Sequence, residues 1–557
     1  MKLTFLGAAR EVTGSRYLLH AAGLHLMIDY GMEQGVDVYE NAPLPIAASQ
    51  IDAVLLTHAH IDHSGWLPKL YKQGFRGDVY MTRATANLAR IMLLDSANIQ
   101  ESDAEWRSRK NQRSGKPPVE PEYTVEDAQA ICGLFRPHGY NEQVQISEDI
   151  SFTMVDAGHL LGSASFILQV KENGESRTLV FSGDIGNTNQ PLLRDPCYPK
   201  EADIVVMEST YGNRCHGETP DYIAHLTRVL QETFDRGGNV VIPSFAVGRT
   251  QEMLYFIRQI KNEGLIHGHD HFPVYVDSPL GIEATKVFDE NAWECADEET
   301  RELLQKGVNP LTFEDLHIAA SAEESKQINN IETPKVIISA SGMCDAGRVR
   351  HHLKHNLWRS ESTILFVGYQ SNGTLGRALV DGAKEVRLFD ETITVQAQME
   401  FLNGISGHAD QKGLMAWIDA FEKKPARVFV THGDEESAEC LAAMIRERGL
   451  EVTVPYNGEE WELLAPTQRT REGQQQRIKK KTTADKKVDE QKQSAPKTAG
   501  KAQEEPTSRE YAQLVEVGNQ IAGLIQSMRT RGVKHQKRLT KMLSAVLHVF
   551  NQKSKRH

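Results

Sequence analysis

The run His58-Ala59-His60-Ile61-Asp62-His63 sets three imidazoles and a carboxylate within six residues. Such a set is costly to bury without partners. It follows directly on Ala53–Thr57 (AVLLT), a continuous apolar stretch that reads as a buried strand. A loop leaving a strand end can turn these side chains toward one centre, and imidazole with carboxylate is a donor set that zinc accepts. A polar surface turn is the competing reading; the strand, the spacing and the following Gly65 speak against it.

Other positions extend the set. His159 stands in Asp156-Ala157-Gly158-His159 with Gly162 following, Asp184 in Ser182-Gly183-Asp184, and His432 in Thr431-His432-Gly433 after the strand pattern Arg427–Thr431 (RVFVT). Asp29, at the end of the pattern Leu24–Asp29, is a candidate to stand behind the ligands. Each alone reads more readily as a turn or a bonded polar group. Together they share one context, a strand end followed by a glycine-bearing loop, where α/β folds collect their sites.

The elements that must position these groups begin with the strand patterns Lys2–Phe5, Arg16–His20 and Leu24–Asp29, joined by glycine-bearing turns. Trp66–Tyr71 and Ala84–Glu105 read as helices, and polar Ser108–Pro118 as a loop. Strands recur at Ile150–Asp156, Ala164–Val170 and Thr178–Ser182. From about Ser209 strands alternate with helices. Asn239–Pro243 precedes a helix opened by Gly248-Arg249-Thr250-Gln251, and Pro273–Val276, Lys335–Ser339 and Thr363–Val367 repeat the pattern. That alternation predicts βαβ units and a parallel sheet, with a return to the first domain near Thr392.

The stretch 467–506 has almost no large apolar residues and reads as a disordered linker. Apolar residues at helical spacing then recur on either side of Gly532, from Leu514 to Met528 and from Leu539 to Phe550. They predict a helical hairpin over 507–551. Self-packing, homodimer formation, and docking on a partner or RNA are all open to it.

The order HxHxDH, a separate His, an Asp and a late His resembles the zinc motifs of the metallo-β-lactamase superfamily. The resemblance implies an α/β fold, an αββα sandwich with metals at one edge. By it, His58, His60 and His159 would hold one Zn2+ and Asp62, His63 and His432 a second. Asp184 would bridge them, with a hydroxide between. Two metals so held generate a nucleophile at neutral pH and stabilise displacement at phosphorus, so Asp62 and Asp184 count as catalytic as well as ligating.

Further motifs narrow the branch. Glu208-Ser209-Thr210-Tyr211-Gly212, Gly407-His408-Ala409-Asp410 and His432 resemble motifs A, B and C of the β-CASP nucleases. The β-CASP insert would span 209–392 and divide the first domain into 1–208 and 393–466. Histidine at the third motif resembles the RNA-processing members; the DNA-repair members usually carry valine there. Ser244-Phe245-Ala246-Val247-Gly248-Arg249, Ser339-Ala340-Ser341-Gly342-Met343, and Gly368-Tyr369-Gln370 with Gly373–Arg377 also match. The opening Leu6-Gly7-Ala8 and Glu11-Val12-Thr13-Gly14-Ser15 resemble the cleavage and polyadenylation endonuclease subunit and its prokaryotic relatives more than ribonuclease J. The resemblance covers roughly residues 1–465. It implies a zinc-dependent ribonuclease that cuts RNA phosphodiesters by attack of the metal-bridging hydroxide, endonucleolytically first, with 5′–3′ exonuclease activity as a second capacity.

Roles follow from the chemistry of that reaction. A leaving 3′ oxygen needs a proton, and His408, tuned by Glu208, is the candidate general acid; phosphate binding is its competing role. Ser341, Ser406 and Arg249 are candidate phosphate contacts, with structural roles as the alternative. A hydrolase of small esters or thioesters would use the same metals but has no need of a ~180-residue insert, longer than a typical domain. His432 tilts against a DNA nuclease of this branch, and retention of all seven ligands opposes an inactive RNA-binding scaffold.

The formal net charge of −12 offers no globally basic surface, so an RNA partner must be met by the local field of the cleft. The six cysteines are scattered and none forms CxxC, which fits reduced thiols in a cytoplasmic protein. No signal peptide is expected, since the short strand pattern Met1–Ala9 is followed at once by Arg10 and Glu11. No apolar run reaches the ~18–20 residues a membrane span requires.

Overall fold

The computed structural model describes residues 1–35, 39–217, 221–402 and 404–475. The hairpin expected over 507–551 and all but the start of the expected linker lie outside the described residues. The chain divides into two compact units at Thr482, and the described residues all belong to the first, Met1–Thr482.

Two sheets form the layer pair that carries the histidine motif. One runs Gln468–Arg471, Glu460–Glu462, Lys2–Gly7, Arg16–Ala21, Leu24–Ile28, Ala53–Leu55, Asp78–Thr82, Phe135–His138. The other runs Val452–Thr453, Arg427–Val430, Ile204–Met207, Glu175–Phe181, Ala164–Glu172, Ile150–Asp156, Gln143–Gln145. Strand side chains alternate between faces, so each apolar run serves two cores. Phe5, Leu26, Ile28 and Leu55 meet Phe152, Phe166, Phe181 and Phe429 between the sheets. Val54 and Val79 belong to the opposite core with Leu67, Leu88 and Leu93 of helices Leu67–Lys72 and Arg83–Arg113. Val180, Val205 and Val428 pack with Leu414, Trp417, Leu441 and Ile445 of helices Gln411–Asp419 and Glu435–Glu447. Each large side chain buried this way stabilises the fold by about 1.5–3 kcal/mol. The result is the expected αββα sandwich.

The insert contributes a third sheet in the order Leu316–Ile318, Val274–Val276, Val336–Ser339, Val240–Pro243, Thr363–Phe366, Gln398–Phe401. All its pairings are parallel. Helices cover both faces, with Ile242 and Ile338 against Met253 and Phe256 on one side and Val241, Ile337 and Ile364 against Val349 and Leu353 on the other. That double cover explains why these strands read as unbroken apolar runs.

Three expectations need correction. The insert's sheet reaches a few residues past the expected return near 392, because Gln398–Phe401 is still a parallel partner of Thr363–Phe366. The helix expected to stop at Glu105 continues to Arg113, through residues read as loop. Its extra turns carry Lys, Arg and Gln, which favour helix, with the i,i+4 pairs Asp103–Arg107 and Glu105–Arg109; the stop comes at Gly115 and Pro117. The linker expected from 467 begins instead as strand Gln468–Arg471, an edge strand paired with Glu460–Glu462. Edge strands need no apolar face, so composition alone hides this one.

Candidate metal centre

Strands of both sheets end at one edge of the sandwich, and each end delivers one group. Ala53–Leu55 leads into His58, Leu24–Ile28 into Asp29, Ile150–Asp156 into His159, Glu175–Phe181 into Asp184, Ile204–Met207 into Glu208, and Arg427–Val430 into His432. The loops turn sharply. Gly158 and Gly183 adopt φ of 68° and 57°, where glycine is favoured. His432 itself has φ 45°, held by its N–H donating to the Ala8 carbonyl (2.7 Å) and its carbonyl accepting from Ser209 N–H (3.1 Å). A Cβ on Gly433 would stand 2.3 Å from Ser209 Oγ, so only glycine fits behind His432.

The seven expected ligands converge in two groups that meet at Asp184. His58 Nε2 and His159 Nε2 each lie close to His60 Nδ1, at 3.1 and 3.2 Å. His63 Nε2 and His432 Nε2 are 3.0 Å apart, with Asp62 Oδ2 3.5 Å from His432 Nε2. Asp184 faces both groups. Its Oδ2 is 3.4 Å from His58 and 3.5 Å from His159, while its Oδ1 is 3.2 Å from His63 and 3.5 Å from His432. His58, His60, His159 and Asp184 form one set that could hold a metal ion, and Asp62, His63 and His432 another. The donor chemistry fits metal: imidazole nitrogens crowd together, and the buried Asp184 Oδ1 accepts no hydrogen bond.

Electrostatics point the same way. Burial, reinforced by His63, pulls His58 down to about 3, and burial with His408 pulls His159 well below the ordinary histidine range. Burial also lowers His60. All three therefore present lone pairs. Burial opposes protonation of His63 too, but Asp184 and Asp29 outweigh it and raise the ring well above its usual value. Burial pushes the Asp184 carboxyl up, and His432, His63 and His58 more than reverse this. A metal ion takes the place of the proton such a cluster otherwise holds.

Behind the candidate ligands, Asp29 faces His63. Its Oδ2 accepts from His63 Nδ1 (2.7 Å) and Thr57 Oγ1 (2.8 Å), and its Oδ1 from Thr57 N–H (2.7 Å). Such partners fix ring orientation. Two residues escaped the sequence reading. Thr57 Oγ1 also reaches His58 Nδ1 (3.1 Å), and Thr210 Oγ1 reaches His432 Nδ1 (3.2 Å). Each stood within or beside a quoted motif, and that adjacency was the available signal.

His408 and Glu208 meet beside this centre. His408 Nδ1 is 3.0 Å from Glu208 Oε1 and 3.9 Å from Asp184 Oδ2. Glu208 also accepts from the backbone of Ile185 (2.7 Å) and Thr210 (3.1 Å). Burial lowers His408, but the Glu208 carboxylate, with Asp184, lifts it to about 10.

The candidate phosphate contacts lie on surrounding loops with internal partners. Arg249 bonds to Glu252 and, through Nη2, to the Ile405 carbonyl (2.9 Å), tying the helix Arg249–Asn262 to the loop of His408. Ser406 Oγ accepts from His408 N–H (3.2 Å), and Ser341 Oγ bonds within its own turn to the Ala346 carbonyl (3.3 Å).

Comparison with known proteins adds a second kind of evidence. Residues 18–195 match a family model described as a metallo-beta-lactamase superfamily domain, residues 250–379 a Beta-Casp domain, and residues 392–455 a Zn-dependent metallo-hydrolase RNA specificity domain. The chain is 38% identical over 462 residues to a ribonuclease of Thermus thermophilus, covering 82% of this chain and 99% of the relative. It is 32% identical to the transcription termination factor FttA of Methanosarcina mazei, over 80% of this chain and 69% of that protein. The factor of the same name from Methanocaldococcus jannaschii is also 32% identical, over 82% and 71%.

Proposed function

Because the chain belongs to the β-CASP family of metallo-β-lactamase hydrolases, we propose that it is a metal-dependent ribonuclease that cuts RNA at internal phosphodiester bonds. The observation that carries the reading is Asp184, whose two oxygens each face a separate histidine group at 3.2–3.5 Å. His58, His60, His159 and Asp184 would hold one zinc ion, and Asp62, His63, His432 and Asp184 a second. Bound there, two cations supply water activation and neutralise charge at a phosphate.

The chain's own groups do the rest. Glu208 accepts two backbone N–H bonds as a carboxylate, so its contact with His408 is completed by Nδ1–H. Nε2 is then the ring nitrogen left to hold a proton and hand it to the departing 3′ oxygen. Asp29 and Thr57 keep His63 oriented, and Arg249 fixes the loop of His408 through Ile405. The six cysteines are unpaired, which suits work in a reducing, cytoplasmic compartment. Among the described residues no helix is long and apolar enough to cross a membrane.

The test is one 5′-labelled RNA incubated with purified enzyme, with and without a chelator, alongside elemental analysis. Discrete internal fragments that vanish on chelation, with two zinc ions per chain, are expected. Released mononucleotides would replace the endonuclease by an exonuclease, and intact RNA beside a hydrolysed generic ester would replace the substrate class.

A further inference from the structure

The carboxyl ends of the insert's central strands carry a surface that the reaction above does not use. Phe245 and Tyr369, which follow strands Val240–Pro243 and Thr363–Phe366, are 45% and 57% exposed. Large aromatic side chains on a soluble surface usually have somewhere to put that area.

Phe245 is held rigidly in its exposed position. Its carbonyl accepts from Thr250 N–H (3.2 Å) and Thr250 Oγ1 (2.7 Å) at the start of helix Arg249–Asn262. The Cδ2–Cε2 side of its ring lies against two glycines. A Cβ on Gly342 would stand 3.1 Å from Cδ2, and one on Gly368 3.6 Å from Cε2. The two glycine loops thus form a seat for the ring, and Tyr369 follows Gly368 directly.

The surface runs into the reaction centre. The Arg214 guanidinium lies 5.9 Å from the Tyr369 ring and 4.5 Å from the Tyr211 ring, and Tyr211 is 6.1 Å from the His408 ring between centroids. Arg214 is exposed, and among the described residues no carboxylate pairs with it. From the other side, Arg249 joins the helix that follows Phe245 to the loop of His408.

Aromatic rings interleaved with arginine beside a phosphodiester centre match one ligand chemistry. Every base has a π-face, and ring stacking with arginine contacts is how single strands are held without sequence readout. A paired base is already stacked and hidden inside its duplex. We infer that Phe245 and Tyr369, with Arg214, form a stacking platform that takes unpaired bases of the RNA strand next to the phosphate being cut. The inference rests on the ribonuclease reading above. It makes the enzyme selective for single-stranded segments, with little preference for sequence.

The test uses full-length Phe245→Leu and Tyr369→Leu, which keep apolar bulk and lose the ring, and Phe245→Trp, which keeps a ring. Zinc content and melting temperature are measured on each. Single-stranded RNA carrying 2-aminopurine at successive positions around the cut site is bound to the chain in chelator. Wild type is expected to quench the probe at one or two adjacent positions, and Phe245→Leu to lose that quenching. In zinc, each leucine variant should raise KM about 5- to 100-fold, the range for one stacked base. Phe245→Trp should restore most of it. On RNA abasic at the quenched position, wild type and Phe245→Leu should converge.

Quenching and KM left at wild-type values by both leucine variants overturn the platform, as does a duplex that competes equally with the single strand. Should Phe245→Leu misfold, the exposed Tyr369 carries the same test. Wild type that cuts no RNA at all would instead overturn the ribonuclease reading, so the two failures are distinguishable.

Discussion

Two buried clusters of histidine and carboxylate among the described residues make a contrast: one asks for something the protein lacks, and the other does not. At the sandwich edge, imidazole nitrogens stand 3.0–3.2 Å from one another and Asp184 Oδ1 has no donor. In the insert, buried Asp277 is surrounded by donors. Its Oδ2 accepts from His352 Nε2 (2.6 Å) and Ser325 Oγ (2.6 Å), and its Oδ1 from Arg348 Nη1 (2.7 Å). His352 Nδ1 in turn reaches Asn329 Oδ1 (3.0 Å), and Arg348 also bonds the carbonyls of Ala319 and Ala320. Burial pushes the Asp277 carboxyl up, and these bonds outweigh it and hold it below its ordinary value. The residue types are alike in both places. What separates a centre built for an added cation from a strut is whether the polar atoms already answer one another.

The comparison breaks first at Asp184. Asp184→Ala should lose metal from both groups together and lower RNA cleavage by roughly 10⁴-fold, the rate equivalent of the several kcal/mol that metals contribute. Wild-type zinc content in that variant would mean the carboxylate does not join the two groups. Next, His408→Ala should keep its zinc and still lose about 10²- to 10⁴-fold in cleavage, the range of one proton-transferring side chain. Near wild-type turnover would remove His408 from the proton path, and lost zinc would make it a ligand instead.

The satisfied cluster should respond in stability and not in metal. Asp277→Asn leaves the half-buried Arg348 without its carboxylate and the buried His352 with a weaker acceptor, and should destabilise the insert by about 3 kcal/mol, read by thermal melting. Zinc content should stay at the wild-type level. Unchanged melting, or zinc loss, would show that the two clusters are not separate kinds of site.

That contrast also explains what could be read without coordinates. Four of the candidate ligands fall within His58–His63, so their convergence is nearly local. The rest were legible because each follows an apolar strand and sits beside a glycine that the turn requires, as Gly158, Gly183 and Gly433 do. His63 and His432 meet across 369 residues because Ala53–Leu55 and Arg427–Val430, which lead to them from the two different sheets, end at the same edge. The Asp277 cluster left only half such a trace. Asp277 follows strand Val274–Val276, but its partner His352 stands 75 residues away inside a helix of mixed polar residues, with neither a strand end nor a glycine beside it. Arg249 was likewise visible as a charge, while its bond to the Ile405 carbonyl depends on the packing of insert against sandwich.

Asp156 sits between the two cases and sharpens the comparison with the smallest effect. It stands half-buried at the end of the strand that delivers His159. It accepts from Gly158 N–H (2.9 Å) and pairs with Arg194 at 3.3 Å. Burial raises its carboxyl to about 7; Gly158, Arg194 and Arg301 pull it down and Glu294 pushes it up, with Tyr140, Cys197 and Cys295 also close by. The folded value lies above the unfolded ~3.9, so the native state binds the extra proton between the two. The stability this contributes is present in full below about pH 4 and is lost as pH rises through about 7. Asp156→Asn keeps the acceptor for Gly158 and removes the titration. The zinc-loaded variant should therefore melt about 2–4 °C higher than wild type at pH 8, on the order of 1 kcal/mol. Between pH 5 and 8 its melting temperature should fall less steeply with rising pH. Parallel curves for the two proteins would show that the bonds to Gly158 and Arg194 already answer this carboxylate, and would place Asp156 with the satisfied cluster.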